Sequence, residues 1–325
     1  MKGFRLICCI LIYVISVGDI AAQYAGPVGS PTTTAIYRDS SILVNWAIGC
    51  SVVRGYRDIA VPDSGFASYG ADSNAIGRAG ESGFVSLGDR GEAVLRFQHP
   101  IMDGPGPDFA VFENAFNDGF LELAFVEVSS NGTDFYRFPA VSNTQTQTQI
   151  ATFDDSNDAT KLHNLAGKYR ANYGTPFDLA ELPNYQNLDK NSITHVKIID
   201  VVGSIDQRFA SYDQNGHPIN DPYPTNFESG GFDLDAVGVI HQNLENYLDE
   251  LSLNSIVLFP NPATDYLWLS NEPAIHEICL YQLSGNFVCK AADFPINIQS
   301  LAPGLYYAVI KTKTGRQYHQ KIIKN

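Results

Sequence analysis

The amino-acid sequence predicts an all-β protein made of two β-sandwich-like domains. Its 325 residues include 17 Tyr, 19 Phe, 27 Gly and 17 Pro, a composition that suits short strands joined by turns better than long helices. Apolar and polar side chains alternate in strand fashion from Glu92 to Phe97, whereas helical periodicity is weak outside short turns around residues 158–173. A chain of this length accommodates about two domains of ~100–200 residues each.

The formal charge excludes one class of partner and indicates a domain boundary. Acidic residues outnumber basic ones by 35 to 21, for a net charge of −14, and such a field repels nucleic acids and anionic lipid head groups. Residues 23–251 carry 30 acidic against 13 basic side chains, whereas residues 252–325 carry 4 against 6. We therefore expect no nucleic-acid partner, a large domain at 23–243, a polar linker at 244–253 and a small domain at 254–325.

The first 22 residues have the three parts of a secretory signal peptide. Lys2 and Arg5 form a basic n-region, residues 6–17 form an apolar h-region, and Ala21 and Ala22 precede the expected cleavage site. The apolar run is shorter than the ~20 residues that span a bilayer, and no second long apolar run follows it. We expect an exported chain without a transmembrane segment.

Three cysteines remain after the predicted cleavage: Cys50, Cys279 and Cys289. The last two flank a predicted strand-turn-strand unit with its turn at residues 283–286. A three-residue loop there would place Cys279 opposite Cys289, where a disulfide is sterically allowed.

The small domain carries a dense series of short predicted strands, which Pro, Asn and Gly separate, at residues 256–259, 266–269, 275–282, 287–289, 304–311 and 319–323. This pattern predicts a small immunoglobulin-like β-sandwich. The motifs LFPNPATDYLWLS, ICLYQLSGNFV, INIQSLAPGLYYAVIKTKTG and the terminal KIIKN resemble the C-terminal sorting domain of the type IX secretion system. The resemblance implies export across the outer membrane of a Bacteroidetes-type bacterium, recognition by the secretion machinery, and attachment to the cell surface by an enzyme of that system. An ordinary accessory module is the alternative.

The strongest strand patterns of the large domain lie at residues 42–46, 93–97, 109–115, 121–129, 196–202 and 235–241. Two of these runs, 121–128 and 196–202, are apolar on both faces. A one-sided sheet would expose such side chains, so we predict that both are inner strands of a sandwich.

Two acidic runs in the large domain predict a metal site. They are DGPGPDFAVFENAFNDGFLELAFVEVSSNGTDFYRFP at 103–139 and GGFDLDAVGVIH at 230–241. In strand geometry Asp233 and Asp235 share a face ~7 Å apart, and hard oxygen ligands of this kind suit Ca²⁺. We predict a structural calcium site whose ligands come from both runs: Asp108, Glu113, Asn114, Asp233 and Asp235. The alternative is that these carboxylates are solvated or cap local turns.

The same runs carry a second resemblance, over about residues 40–243. They are similar to a group of predicted bacterial surface proteins that share GPGPDFxVFEN, a following ELAFVEVSSNG and a closing GFDLDAV. They also resemble galactose-binding-like jelly rolls, in which an Asp of the closing strand often ligates a structural calcium. The resemblance implies a jelly-roll fold and a surface location, but no activity.

No catalytic motif is found in the sequence. GxSxG, HExxH and GxxxxGK[ST] are absent, and no two histidines have metal-ligand spacing. The segment around Asn215 and Gly216 lacks the EF-hand pattern and predicts a hairpin turn. We therefore predict a protein that is not an enzyme; the alternative is a surface glycoside hydrolase that uses two carboxylates from among Glu113, Glu122 and Glu127.

Aromatic residues in two long insertions indicate binding instead. They are Tyr169, Tyr173 and Phe177 in the first insertion and Tyr212 and Tyr223 in the second. Aromatic faces on loops stack on sugars and other planar ligands, unless they pack their own loops. The predicted function is therefore binding of an extracellular glycan, small nutrient or partner surface. A third alternative, by analogy alone, is a capture protein for a TonB-dependent transporter, for example of corrinoids.

Overall fold

The computed structural model describes residues 24–244, 256–270, 275–313 and 317–325. The chain divides into two compact units, Met1–Asn243 and Leu244–Asn325. The predicted signal peptide and nearly all of the predicted linker lie outside the described residues. Within the described ranges, no helix has the length and apolar character needed to cross a membrane.

The larger unit is built from short strands: β1 (Ile36–Tyr37), β2 (Asn45–Trp46), β3 (Gly49–Val53), β4 (Val85–Ser86), β5 (Glu92–Ile101), β6 (Phe109–Glu113), β7 (Ala124–Ser129), β8 (Tyr136–Arg137), β9 (Val141–Ser142), β10 (Leu162–His163), β11 (Tyr173–Phe177), β12 (Ile193–Asp200) and β13 (Asp233–Val239). The helical structure in the described part of this unit is four 3-10 helices, at Pro62–Ser64, Asp72–Ala75, Ala159–Lys161 and Leu179–Glu181. The prediction of an all-β fold is confirmed.

The strands of the larger unit form a jelly roll. One sheet has the order β1-β11-β6-β13-β2, with β4 beside β13, and the other has the order β3-β5-β12-β7-β8. The chain crosses between the two sheets at every step from β2 to β7 and again from β11 to β13, whereas β1 and β2 both lie in the first sheet and β7 and β8 both lie in the second. All of these pairings are antiparallel. This alternation places the first and last major strands, β2 and β13, side by side, as a jelly roll requires.

The core lies between the two sheets. Strand β12 occupies an inner position in the second sheet, with Val196 paired to Leu95 of β5 and to Val128 of β7. All three side chains belong to one buried apolar cluster, which also contains Phe109 and Val237 of the first sheet. The apolar runs in β7 and β12 therefore lie on inner strands, as the sequence predicts.

Strand β13 is buried along all seven residues. Leu234 and Val237 face the intersheet core, whereas Ala236 packs in a separate cluster with Ala79, which covers the outer face. The pairing with β6 shifts between Leu234 and Ala236, so Asp235 is an extra residue in a bulge. The segment around Ala79, which packs over the outer face of the sheet, therefore buries the carboxylates of the closing strand.

The smaller unit is a β-sandwich of its own. Its strands are β14 (Leu258–Phe259), β15 (Tyr266–Leu269), β16 (Ile275–Gln282), β17 (Phe287–Ala291), β18 (Ile296–Asn297), β19 (Gly304–Thr312) and β20 (Gln317–Lys324). They form a three-stranded sheet, β14-β15-β18, and a four-stranded sheet, β17-β16-β19-β20. A buried cluster that includes Leu258, Leu267 and Ile310 forms the core.

A bulge in this unit separates the two cysteines that the sequence placed opposite each other. Strand β16 pairs Tyr281 with Phe287 but Leu280 with Cys289, so Val288 is an extra residue and Cys279 lies opposite Lys290. Since a one-residue register shift moves side chains to the other face of a sheet, the two sulfurs do not face each other. Both thiols are free, as is that of Cys50.

Candidate functional site

Strand β6 separates two of the predicted calcium ligands. Asp108 precedes the strand and Glu113 ends it, about 16 Å away at the rise of an extended chain. The Asp108 carboxylate accepts hydrogen bonds from the backbone N–H groups of Gly104 and Leu179, each at 2.7 Å, and lies 2.8 Å from Nδ1 of His241. Asp108 therefore anchors the Gly-Pro loop to the end of the closing strand and cannot share an ion with Glu113.

The remaining predicted ligands lie near one another, but in the described part of the chain their carboxylate oxygens do not converge closely enough to form a group that could hold one ion. Glu113 is fully buried beside Asp233 and Asp235, and its Oε2 has no hydrogen-bond partner in the described structure. Asp233 accepts a hydrogen bond from the serine hydroxyl of β4, and both oxygens of Asp235 lie 2.9 Å from the backbone nitrogen of Gly80. Asn114 joins them through its backbone N–H, which donates to the Asp233 carbonyl at 3.2 Å.

A different acidic group surrounds Asp108. Carboxylate oxygens of Asp103, Asp108 and Asp178 lie within 4.8 Å of one another. The Asp108 oxygens already accept the hydrogen bonds given above, and Asp178 caps a 3-10 helix through Ala180 at 2.8 Å. Asp103 and Asp178 are also partly exposed to water. These local partners account for the group without an ion.

A second buried acidic group lies next to the first and was missed by the sequence reasoning. A small cavity of about 10 Å³ is lined by four acidic residues, Asp89, Glu122, Asp200 and Asp221. They come from the loop before β5, the segment before β7, the end of β12 and the insertion before β13. A space of this size is near the lower limit for one water molecule, so it cannot hold a sugar.

Burial and mutual repulsion raise the pKa values of these acids. Burial raises the pKa of Asp89 and Asp233 to about 7 each, and the pKa values of Asp200 and Asp221 lie well above the usual range for the same reason. The Glu122 pKa is raised by burial and then by the neighbouring carboxylates of Asp233, Glu113, Asp221 and Asp200. These carboxylates share a repulsion that protonation or a cation would relieve.

The larger unit also contains a cleft that is open to solvent. Its volume is about 430 Å³, within the ~300–1,000 Å³ typical of small-molecule sites. Apolar side chains, among them Ile36 and Ile42, form most of the wall. Thr175 also lines the cleft, and its buried hydroxyl has no hydrogen-bond partner among the described residues. Burial lowers the pKa of the lining Lys168 to about 8.

Glu181 lines this cleft and also a second one, of about 450 Å³. Its carboxylate lies 3.0 Å from Nε2 of His163, and the hydrogen bond from His163 lowers the pKa of Glu181. In the second cleft, Tyr212 is 43% exposed, and Tyr185 stacks on Tyr136 with ring centroids 4.3 Å apart. The two clefts thus share Glu181 as a lining residue. The second cleft also contains exposed aromatic rings.

The predicted aromatic ligand contacts do not all reach a surface. Tyr169 is 1% exposed, and Phe177 is buried against Phe109 and Phe138. These two rings pack the core, so the expectation that they contact ligand does not hold. Tyr173 packs against Tyr37 of β1 and against the Arg170 guanidinium, and the Tyr223 hydroxyl donates to Asp58 at 3.0 Å.

The three glutamates proposed for hydrolysis lie in two environments. Glu113 and Glu122 belong to the buried acidic groups, whereas Glu127 forms ion pairs with Arg137 at 2.8 Å and Lys197 at 3.8 Å. A glycosidase needs two carboxyl groups that flank a bound sugar. No pair among these three flanks a space large enough for one.

Comparisons with solved structures carry no argument about function. Ruminococcus gnavus β-glucuronidase aligns at 11% identity over 93% of this chain and 46% of that chain, with a TM-score of 0.22. The same enzyme in complex with D-glucaro 1,5-lactone aligns at 12% identity over 73% and 36%, with a TM-score of 0.18. The chain thus spans less than half the length of these structures. No curated protein matches it.

The family comparison concerns the smaller unit. Residues 257–325 match the model of the secretion system C-terminal sorting domain, which agrees with the type IX resemblance of the sequence motifs. A domain of this kind is the signal by which the type IX machinery exports a protein. The protein is therefore exported across the outer membrane, to the cell surface or the extracellular space.

Proposed function

We propose that the protein is a non-catalytic binding protein of the bacterial surface and that its jelly-roll domain binds a short glycan. The observation that carries the proposal is the pair of clefts that share Glu181. An elongated ligand with apolar faces and many hydroxyl groups fits a groove that has aromatic rings in one part and apolar walls with buried polar atoms in the other.

The polar groups of the clefts match the hydroxyl groups of a sugar. The Thr175 hydroxyl is buried without a partner, and such a group costs free energy until a ligand supplies its hydrogen bond. The exposed ring of Tyr212 offers a stacking face at the other end. The buried acidic groups lack such a space, so the hydrolase alternative has no comparable geometric support.

The test is calorimetric titration of the mature chain with a panel of oligosaccharides. We expect Tyr212→Ala to weaken binding about tenfold, equivalent to ~1.4 kcal/mol, because it removes a stacking face without opening the core. Thr175→Val should weaken it as well. The matched control is Tyr266→Ala, which removes an equally exposed tyrosine from the smaller unit, 40% against 43% exposed.

Two outcomes would overturn the proposal. One is that no oligosaccharide binds; the other is binding that neither cleft variant weakens. Turnover of a glycan that Glu122→Gln or Glu113→Gln abolishes would instead support the hydrolase alternative.

A further inference from the structure

We propose that the cleft lined by Lys168 and Thr175 binds an anionic sugar of the glycan, one that carries a carboxylate or a sulfate group. The inference rests on the proposed function, because it names the chemical class of the ligand for one of the two clefts assigned to glycan. It concerns the cleft of about 430 Å³ and not the neighbouring one that Tyr212 lines.

Lys168 is a buried cation without an anionic partner. The residue is 5% exposed and lines the cleft, and its Nζ donates to the Leu162 carbonyl at 2.7 Å. Within the described residues, Asp158 acts on this charge but forms no ion pair with it. An ammonium group has three N–H donors, and a buried charge that lacks a partner lowers stability. A bound anion would supply that partner.

Thr175, on strand β11, provides an independent observation. It lines the same cleft and is 4% exposed, and its hydroxyl is buried without a hydrogen-bond partner among the described residues. Both residues thus offer donors, which suit the oxygens of a carboxylate or a sulfate. A neutral sugar would satisfy the threonine but would leave the charge of Lys168 unbalanced.

The acidic residues of the cleft already have other partners. Asp178 caps the 3-10 helix that follows it. Glu181 lies 3.0 Å from Nε2 of His163 and accepts a hydrogen bond from the side-chain amide of Asn164 at 2.6 Å. In the described part of the chain, neither carboxylate forms an ion pair with Lys168. The charge of this lysine is therefore left for a ligand to balance.

The acidity of the whole domain does not exclude an anionic sugar. Exposed charges more than about 8 Å apart are largely screened at physiological ionic strength, whereas buried pairs are screened much less. A long polyanion such as a nucleic acid faces the whole acidic surface, but a single anionic group in the cleft faces the residues that line it. The buried ammonium of Lys168 therefore favours a negative charge at this position.

The experiment is calorimetric titration of the mature chain with two acidic oligosaccharides and their uncharged counterparts. Tetragalacturonate carries carboxylates and is compared with its methyl ester. A κ-carrageenan tetrasaccharide carries sulfates and is compared with its desulfated form. We expect one of the two acidic ligands to bind at least tenfold more tightly than its uncharged counterpart, and the pair that shows the difference identifies the anion.

Lys168→Met keeps most of the side-chain volume and removes the charge. It should weaken binding of the acidic oligosaccharide at least tenfold and abolish the preference over the uncharged form. Lys190→Met is the matched control and should change neither affinity. Nζ of Lys190 also donates to a backbone carbonyl, that of Leu182 at 2.6 Å, but Lys190 lines neither cleft.

A second measurement needs no variant. Because burial lowers the pKa of Lys168 to about 8, raising the pH from 7 to 9 should weaken binding of the acidic oligosaccharide about tenfold and leave that of its uncharged counterpart unchanged. Equal affinities for the charged and uncharged forms would overturn the inference and leave the glycan proposal standing. So would a preference for the acidic form that persists in Lys168→Met. Absence of binding by every oligosaccharide would overturn both.

Discussion

Lys168 is a cation buried inside an acidic domain. It is 5% exposed, its Nζ donates to the Leu162 carbonyl at 2.7 Å, and burial lowers its pKa from 10.5 to about 8. Between pH 8 and 10.5 the unfolded chain therefore binds more protons at this lysine than the folded chain does. Under this linkage the free energy of unfolding rises with pH in that window, and below pH 8 the buried charge lowers stability by a constant amount.

We predict that the unfolding free energy of the wild type, minus that of Lys168→Met, increases by on the order of 2 kcal/mol from pH 8 to pH 10. Urea unfolding of the mature chain at a series of pH values measures it. The same difference for Lys321→Met, which removes an exposed lysine, should stay flat. A flat difference for Lys168→Met as well would show that burial does not depress its pKa.

At the scale of residues, the sequence indicated which side chains carry functional groups better than it indicated how deeply those side chains are buried. It identified Asp233 and Asp235 as carboxylates that need partners, and the structure supplies the Ser86 hydroxyl for Asp233 and the Gly80 backbone N–H for Asp235. It could not show that Tyr169 and Phe177 point into the core, because an aromatic residue has the same pattern in a binding loop and in a packed insertion. Glu122 was recognised only as a candidate acid, since its neighbours come from distant parts of the chain.

Gly174 of β11 shows how closely the outer face of the first sheet is packed. A Cβ at this position would lie 2.8 Å from two ring carbons of Phe112 and 2.9 Å from Cβ of Ala110. Phe112 is fully buried and packs against Trp46 with ring centroids 5.3 Å apart, so it has little room to move.

We predict that Gly174→Ala lowers the free energy of unfolding by about 1–3 kcal/mol through overpacking. The measurement is a double-mutant cycle by urea unfolding with Phe112→Leu, which removes the ring atoms nearest to the new methyl group. The double variant should be more stable than the sum of the single effects predicts. Strictly additive effects would mean that the ring is not the obstacle.

At the scale of elements, alternation and apolar runs located the major strands, because burial on one or two faces leaves that pattern in the sequence. The jelly-roll order itself came from a resemblance, since pairing between distant strands leaves no local signal. The bulges at Val288 and Asp235 left no signal in the sequence either. The one at Val288 removed Cys279 from its expected partner, and the one at Asp235 changed how the closing strand pairs with β6.

At the scale of the whole molecule, each unit has a core of its own. The buried clusters of the larger unit contain no residue after Asn243 in the described structure, and that of the smaller unit begins at Ile256. The sequence separated the two parts by charge, which changes sign because one part carries the buried and exposed acids of the jelly roll. Export is therefore a property of the smaller unit, and the binding that we propose belongs to the larger one.

We predict that a chain ending at residue 253 is secreted into the periplasm and retained there, with its jelly roll folded. The reason is that the deleted residues include the whole match to the sorting domain, 257–325, whereas the core of the larger unit is left intact. Protease treatment of whole cells, followed by immunoblotting, distinguishes surface from periplasmic protein, and the full-length chain is the control. The folded state is checked by the Tm of the purified truncated chain, which should match that of the larger unit in the full-length protein. Protease-accessible truncated chain on intact cells would show that the export signal lies outside residues 254–325.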